Sequence, residues 1–121
     1  EALEHGVSEP DVIGPRLLQT AGLRYRLNPA APIGQRILSA EIRTKEGTWE
    51  PIQPKNVYRI VTISYLLGGG DHFSMLGQHA RILETGPLEV DVLEAYLHEQ
   101  KDQDDHLPTP APGRIIGMPV R

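Results

Sequence analysis

The first half of the chain alternates apolar and polar residues in short runs, a pattern typical of half-buried strands. Residues 17–27 end in an alternation of apolar residues with arginines, which predicts one strand, or two short ones around Gly22. Residues 36–43 are also typical of a strand, and Lys45-Glu46-Gly47 predicts a hairpin turn into residues 48–50. The pattern therefore predicts a small sheet before residue 51.

The most apolar run, residues 57–67, predicts the strongest strand of the chain. It is nearly continuous in apolar and aromatic side chains and rich in β-branched residues, which indicates burial on both faces and hence a central position in a sheet. The run leads directly into Gly68-Gly69-Gly70-Asp71.

Helical patterns occur at both ends of the chain. Residues 88–100 repeat apolar side chains at three- and four-residue spacing, which predicts an amphipathic helix. Residues 1–5, followed by Gly6, are typical of the last turn of a helix, since glycine commonly ends helices. Because this helix would begin uncapped at residue 1, we expect the chain to be part of a longer one.

After the helix predicted from residue 88, residues 99–112 are first charged and then rich in proline, so we expect an exposed connector. A final short strand is expected at residues 113–116. Acidic residues and a histidine in the connector could in principle bind a cation, but a solvated charged segment is the simpler interpretation, since no calcium-loop pattern is complete. We therefore predict no metal ligand in this chain.

Length and composition narrow the classes of function. A chain of 121 residues is of the usual size for one domain. The absence of cysteine excludes disulfides and Cys-based zinc sites. The formal charge of −4, without a basic stripe, argues against nucleic-acid binding. No apolar run reaches the roughly 20 residues of a membrane span.

The glycine run is the one unusual local motif. Glycines allow a ligand to approach the backbone closely, and ligands often bind at the carboxyl ends of strands. The run lacks the Lys-Ser/Thr pair of a phosphate loop. An alternative is a tight turn in which Asp71 caps the segment 73–76, because aspartate is a favoured N-cap residue.

Residues 58–76 read YRIVTISYLLGGGDHFSML and resemble the substrate loop in the C-terminal domain of 5′-nucleotidases. The family pattern is Tyr-x-Val-x-Thr-Asn-x-Phe-Leu-Ala-x-Gly-Gly-Asp-Gly-Phe/Tyr. Residues 2–8 (ALEHGVS), 18–25 (LQTAGLRY) and 113–115 (GRI) are similar to other family segments in the same order. The family includes UDP-sugar hydrolases.

The resemblance implies a fold and a binding site. The fold would be α+β, with a mixed sheet and flanking helices, truncated at its N-terminus, so that residues 1–121 are a partial domain. Tyr65 would stack on the base of a nucleotide or nucleoside substrate, and Asp71 would bind the ribose hydroxyls, with Gly69 and Gly70 shaping the same site. His72 stands where the family often has glycine.

The resemblance also implies what this chain would not contain. The family's two divalent metal ions belong to a separate N-terminal metallophosphoesterase domain of the same polypeptide. We therefore expect no catalytic residue here, and no hydrolysis by this chain alone. The parent protein would be a periplasmic or extracellular phosphohydrolase of nucleotide catabolism, without a membrane span in this part.

Two alternatives remain open at this point. The same domain occurs in cyclic-nucleotide phosphodiesterases, nucleotide-sugar hydrolases and sulfur-oxidation relatives. The chain could also be a non-catalytic interaction module that keeps the fold without the ligand role.

Overall fold

A four-stranded mixed sheet lies at the centre of the computed structural model, which describes residues 1–11, 13–101, 106–109 and 111–117. Its strands are β1 (Leu23–Leu27), β2 (Ile37–Arg43), β3 (Trp49–Pro51) and β4 (Ile115–Ile116), in the spatial order β3-β2-β1-β4. The pairs β1–β2 and β2–β3 are antiparallel, whereas β4 is parallel to β1. The predicted mixed sheet is therefore confirmed, as is the hairpin.

Four α-helices and one 3₁₀-helix complete the described elements. They are α1 (Ala2–Gly6), α2 (Ser64–Leu67), a 3₁₀-helix (Gly70–His72), α3 (Ser74–Gln78) and α4 (Glu89–Gln100). The helices predicted at both ends of the chain are present, and the α+β class is confirmed.

Alternation along β1 decides which face of the sheet is buried. Tyr25 and Leu27 are buried together with Val7, and they form the small core. Arg24 lies on the other face, where its guanidinium is 2.7 Å from the Glu41 carboxylate of β2 and 4.6 Å from the centre of the Trp49 ring. The hydrogen bond from Arg24 lowers the pKa of Glu41. Trp49 thus stabilises the hairpin through its contact with Arg24.

Tyr25 carries the one polar group of this core cluster. Its hydroxyl donates to the carbonyl of Leu18 at 2.9 Å. Burial raises the pKa of that hydroxyl to about 12, because a phenolate would lose its hydration.

Arg36 joins α1 to the sheet. Its side chain is buried, and its guanidinium donates to the carbonyls of Val7, Glu9 and Ala31. In the opposite direction, the Glu4 carboxylate accepts the backbone amides of Arg36 and Ile37 at 3.1 and 2.7 Å. Helix α1 is therefore fixed to the start of β2 by charge-assisted bonds in both directions.

The central strand predicted at residues 57–67 is wrong. Residues 57–63 form no strand, and residues 64–67 are α2. Val57 is 99% and Val61 100% exposed, so the run is not buried on both faces. The physical reason is that a strand needs a neighbour to pair with, and none of the described strands pairs with this run.

Helix α4 confirms the predicted helix but contributes nothing to the core. None of its residues is buried, and its apolar side chains Val90, Val92, Leu93 and Tyr96 are exposed. No helix in the described part of the chain is long and apolar enough to cross a membrane. The connector at residues 99–112 stays a prediction, since residues 102–105 and 110 lie outside the described ones.

Stability should fall at alkaline pH because of Tyr25. Above pH about 10, a tyrosine in the unfolded chain loses its proton, whereas Tyr25 in the folded protein keeps it up to about pH 12. The folded state then binds more protons, so the free energy of unfolding should decrease between these values, by roughly 2–3 kcal/mol in total.

Urea unfolding of the wild type and of Tyr25→Phe across pH 9–12 measures this decrease, and the variant should lose the part that comes from Tyr25. Tyr96→Phe, which removes an exposed hydroxyl, is the control and should keep it.

Replacing Arg36 should destabilise the fold. In Arg36→Met, the carbonyls of Val7, Glu9 and Ala31 lose their donor, and we expect a loss of about 2–4 kcal/mol. Arg36→Lys keeps the charge but not the planar fork, so its loss should be smaller. Urea unfolding measures both, and a Met variant as stable as wild type would contradict the role assigned to Arg36.

Candidate functional site

The glycine run forms a tight loop between α2 and α3. Gly69 has a φ of 89°, which glycine adopts without steric cost. Asp71 and His72 follow with φ values of 49° and 64°, in the left-handed region that costs other residues roughly 1–2 kcal/mol each. The His72 amide donates to the Gly69 carbonyl and the Phe73 amide to the Gly70 carbonyl, and these bonds close the turn.

Tyr65 lies across this loop. Its hydroxyl donates to the Asp71 carboxylate at 3.0 Å. The ring passes so close to Gly70 that a Cβ placed there would be 2.5 Å from two ring carbons. Gly70 is therefore required for the approach of the Tyr65 ring.

A second bond holds Asp71 from a distant part of the chain. The His5 Nε2 of α1 is 2.7 Å from the main-chain carbonyl oxygen of Asp71, 66 residues away in sequence. The His5 ring also meets Phe73 edge to face, with ring centres 4.6 Å apart and an angle of 87°. Phe73 is buried, so this contact ties the loop to α1.

The loop borders an open depression of about 490 Å³, which has a polar and partly charged lining. Its lining residues are Glu9, Pro15, Arg16, Tyr65, Gly69, Asp71 and His72. The Arg16 guanidinium and the Glu9 carboxylate form an ion pair at 2.7 Å. The depression therefore offers a cation, carboxylates and an aromatic ring to one ligand.

The structure brings the four predicted site residues together. Tyr65, Gly69 and Asp71 line the depression, and Gly70 lies beneath the Tyr65 ring. His5, Glu9 and Arg16 were missed by the sequence analysis. These residues come close to the glycine loop only through folding of distant segments, and no local sequence motif predicts that.

The alternative role for Asp71, as a helix cap, is wrong. Helix α3 begins at Ser74 with Phe73 at its N-cap position, and no side chain caps it. The Asp71 carboxylate instead accepts from Tyr65 and is exposed at the depression.

Among the described residues, no three His, Asp or Glu side chains are grouped as metal ligands. Most of the acidic group considered in the connector, residues 102–105, lies outside the described part. What the site offers is an aromatic face, hydrogen-bonding groups and charge, which are the means of binding a polar ring-containing ligand.

Comparison with known proteins identifies relatives of this chain. Residues 1–78 match the family model described as 5′-nucleotidase, C-terminal domain. The chain is 36% identical over 102 residues to an apyrase of Tabanus yao, an alignment that covers 79% of this chain and 18% of the relative. It is 26% identical over 100 residues to a snake venom 5′-nucleotidase of Gloydius brevicauda, with 80% and 17% covered.

A solved structure agrees with this match. The crystal structure of a 5′-nucleotidase precursor from Thermus thermophilus superposes with a TM-score of 0.80 at 31% identity. The superposition covers 95% of this chain and 22% of the Thermus chain. This chain thus spans about a fifth of the length of the proteins it resembles.

A methyl group at residue 70 should displace Tyr65. In Gly70→Ala the new Cβ overlaps the ring, so the ring must move and the bond from its hydroxyl to Asp71 should break. Nuclear Overhauser contacts between the Tyr65 ring and residues 70–71 should disappear. Gly86→Ala is the control, since a Cβ there would meet nothing within 4 Å. Contacts retained in Gly70→Ala would contradict the packing described.

Proposed function

Because the chain belongs to the 5′-nucleotidase C-terminal domain family, we propose that it binds the base and ribose of a nucleotide and gives a 5′-nucleotidase-type phosphohydrolase its substrate specificity. The observation that carries the proposal is the Tyr65–Asp71 pair. An aromatic ring and a carboxylate, joined by a 3.0 Å hydrogen bond, face one depression.

Tyr65 has the properties of a stacking platform. Tyr65 is 56% exposed and lines the depression, whereas Tyr25, a core residue, is buried. Gly70 under the ring and Asp71 at its hydroxyl hold the ring in one orientation. A platform fixed in this way would stack on a base at about 1–3 kcal/mol, and would accept different bases because each has a π-face.

Asp71 suits the recognition of vicinal hydroxyls. An ionised carboxylate accepts hydrogen bonds at about four lone-pair positions, and the Tyr65 hydroxyl uses one of them. The remaining acceptor positions support bonds from ribose, which are charge-assisted and therefore stronger than neutral ones. The same fixed geometry would place base and sugar side by side.

The chemical step belongs, in this proposal, to other parts of the parent protein. The relatives are about five times longer than this chain, and no group of metal ligands occurs among its described residues. The two divalent metal ions and the metallophosphoesterase domain of such an enzyme would therefore lie outside it, and the chain alone would be inactive. We also propose a periplasmic or extracellular location, which the venom relative supports.

Truncating Tyr65 should impair nucleotide use alone. In the full-length protein, we expect Tyr65→Ala to raise KM for a nucleoside monophosphate about 5- to 150-fold, from the loss of stacking. Hydrolysis of a base-free phosphate ester should stay nearly unchanged. Tyr96→Ala is the matched control, because Tyr96 is equally exposed, at 55%, but lies on α4 outside the depression.

Two results would contradict this proposal. One is an equal loss of activity on both substrates in Tyr65→Ala, which would indicate a folding defect instead of lost base contact. The other is an unchanged KM for the nucleotide. Tyr65→Phe, which keeps the ring and removes the hydroxyl, should lie between the wild type and the Ala variant.

A further inference from the structure

We propose that His5 is a positioning residue for Asp71: its hydrogen bond to the Asp71 main chain sets the carboxylate where it can select ribose over 2′-deoxyribose. The inference rests on the proposed function and deepens it. His5 lies in α1, outside the glycine loop that contains Asp71.

The bond has a defined direction. A carbonyl oxygen only accepts, so the His5 Nε2 at 2.7 Å must carry the proton and donate it. The tautomer of His5 is therefore set by Asp71. His5 therefore binds the backbone of the loop and does not occupy the Asp71 carboxylate, which faces the depression.

His5 is itself held by the sheet. It lies in α1, between Glu4, whose carboxylate accepts two amides at the start of β2, and Gly6 and Val7, which are buried. The Val7 carbonyl accepts from the buried guanidinium of Arg36. The backbone of His5 is thus held by the core and the start of β2, whereas its ring contacts Asp71 and Phe73.

Asp71 requires such a contact. Asp71 and His72 are consecutive non-glycine residues with positive φ, and such conformations persist where the surroundings over-determine them. The Tyr65 bond joins α2 to the loop that directly follows it, six residues away in sequence, so it does not fix the loop relative to the sheet. The His5 bond spans 66 residues and does so.

Packing is the competing explanation, since the His5 ring also meets the Phe73 ring edge to face. Two substitutions separate the roles. His5→Phe keeps an aromatic ring against Phe73 but loses the donor. His5→Gln loses the ring but keeps an N–H donor near the position of Nε2. Positioning through the hydrogen bond predicts that Gln is tolerated and Phe is not, whereas packing predicts the reverse.

The experiment measures KM and kcat of the full-length protein for a nucleoside monophosphate and its 2′-deoxy counterpart. We expect His5→Phe to reduce the preference for the ribonucleotide about three- to tenfold, through KM and not kcat. His5→Gln should retain most of the preference. Asp71→Ala is the reference variant and should abolish it.

Each outcome decides between these explanations. If Asp71→Ala abolishes the preference and His5→Phe keeps it, the positioning role is refuted and the proposed function stands. Equal losses on both nucleotides in His5→Phe, with His5→Gln no better, would also refute it. If Asp71→Ala leaves the preference unchanged, the ribose role fails, and the positioning role fails with it.

A second measurement needs no variant. In a long-range ¹H–¹⁵N spectrum of the histidine rings, the His5 Nε2 should have the shift of a protonated nitrogen. An unprotonated Nε2 would overturn the proposal, because the bond to the Asp71 carbonyl could not exist.

Discussion

The buried guanidinium of Arg36 is the interaction on which the site geometry depends. Arg36 is 8% exposed and donates to carbonyls of the segment that follows α1 and of the turn that precedes β2. A buried cation without acceptors is costly, so these carbonyls must stay in place while the protein is folded. Since Glu4 accepts amides of β2 in return, the orientation of α1 follows from the sheet. With α1 in this orientation, the ring of His5 reaches the main-chain carbonyl of Asp71.

The glycine run has a different use from the one that its composition indicates. Glycines next to a strand suggest that a ligand approaches the backbone, and three in a row suggest a flexible loop. In the structure, the group that approaches Gly70 is the protein's own Tyr65 ring. The loop is also well determined, because its amides close a turn and Asp71 is bonded at both its main chain and its side chain. Because Gly70 has no side chain, the Tyr65 ring can lie across the backbone at this point. In that position the ring faces the depression.

Sequence reasoning predicted what is local and failed where distant segments decide. The strands β1 to β3 and helix α4 follow from alternation and helical spacing within single segments. Tyr65 and Asp71 were predicted together because they are six residues apart in one motif that resembles a family loop. His5 gave no signal, since its partner is 66 residues away. The error at residues 57–63 has the same origin: apolar character describes what a segment can bury, but not whether a partner strand lies beside it.

In the proposed function, Tyr65 and Asp71 would contribute differently to ligand binding: Tyr65 to affinity and Asp71 to selectivity. Stacking on Tyr65 would contribute binding energy to any base, because it depends on a π-face and not on donors and acceptors at the ring edge. The Asp71 carboxylate would distinguish ligands by the hydroxyls they present, since a ligand without them leaves acceptors without donors. A small error in the carboxylate position would therefore affect selectivity more than it affects affinity for the base. If Asp71 and Tyr65 have these proposed roles, the greater need for exact placement falls on Asp71, and it is Asp71 that receives the hydrogen bond from His5.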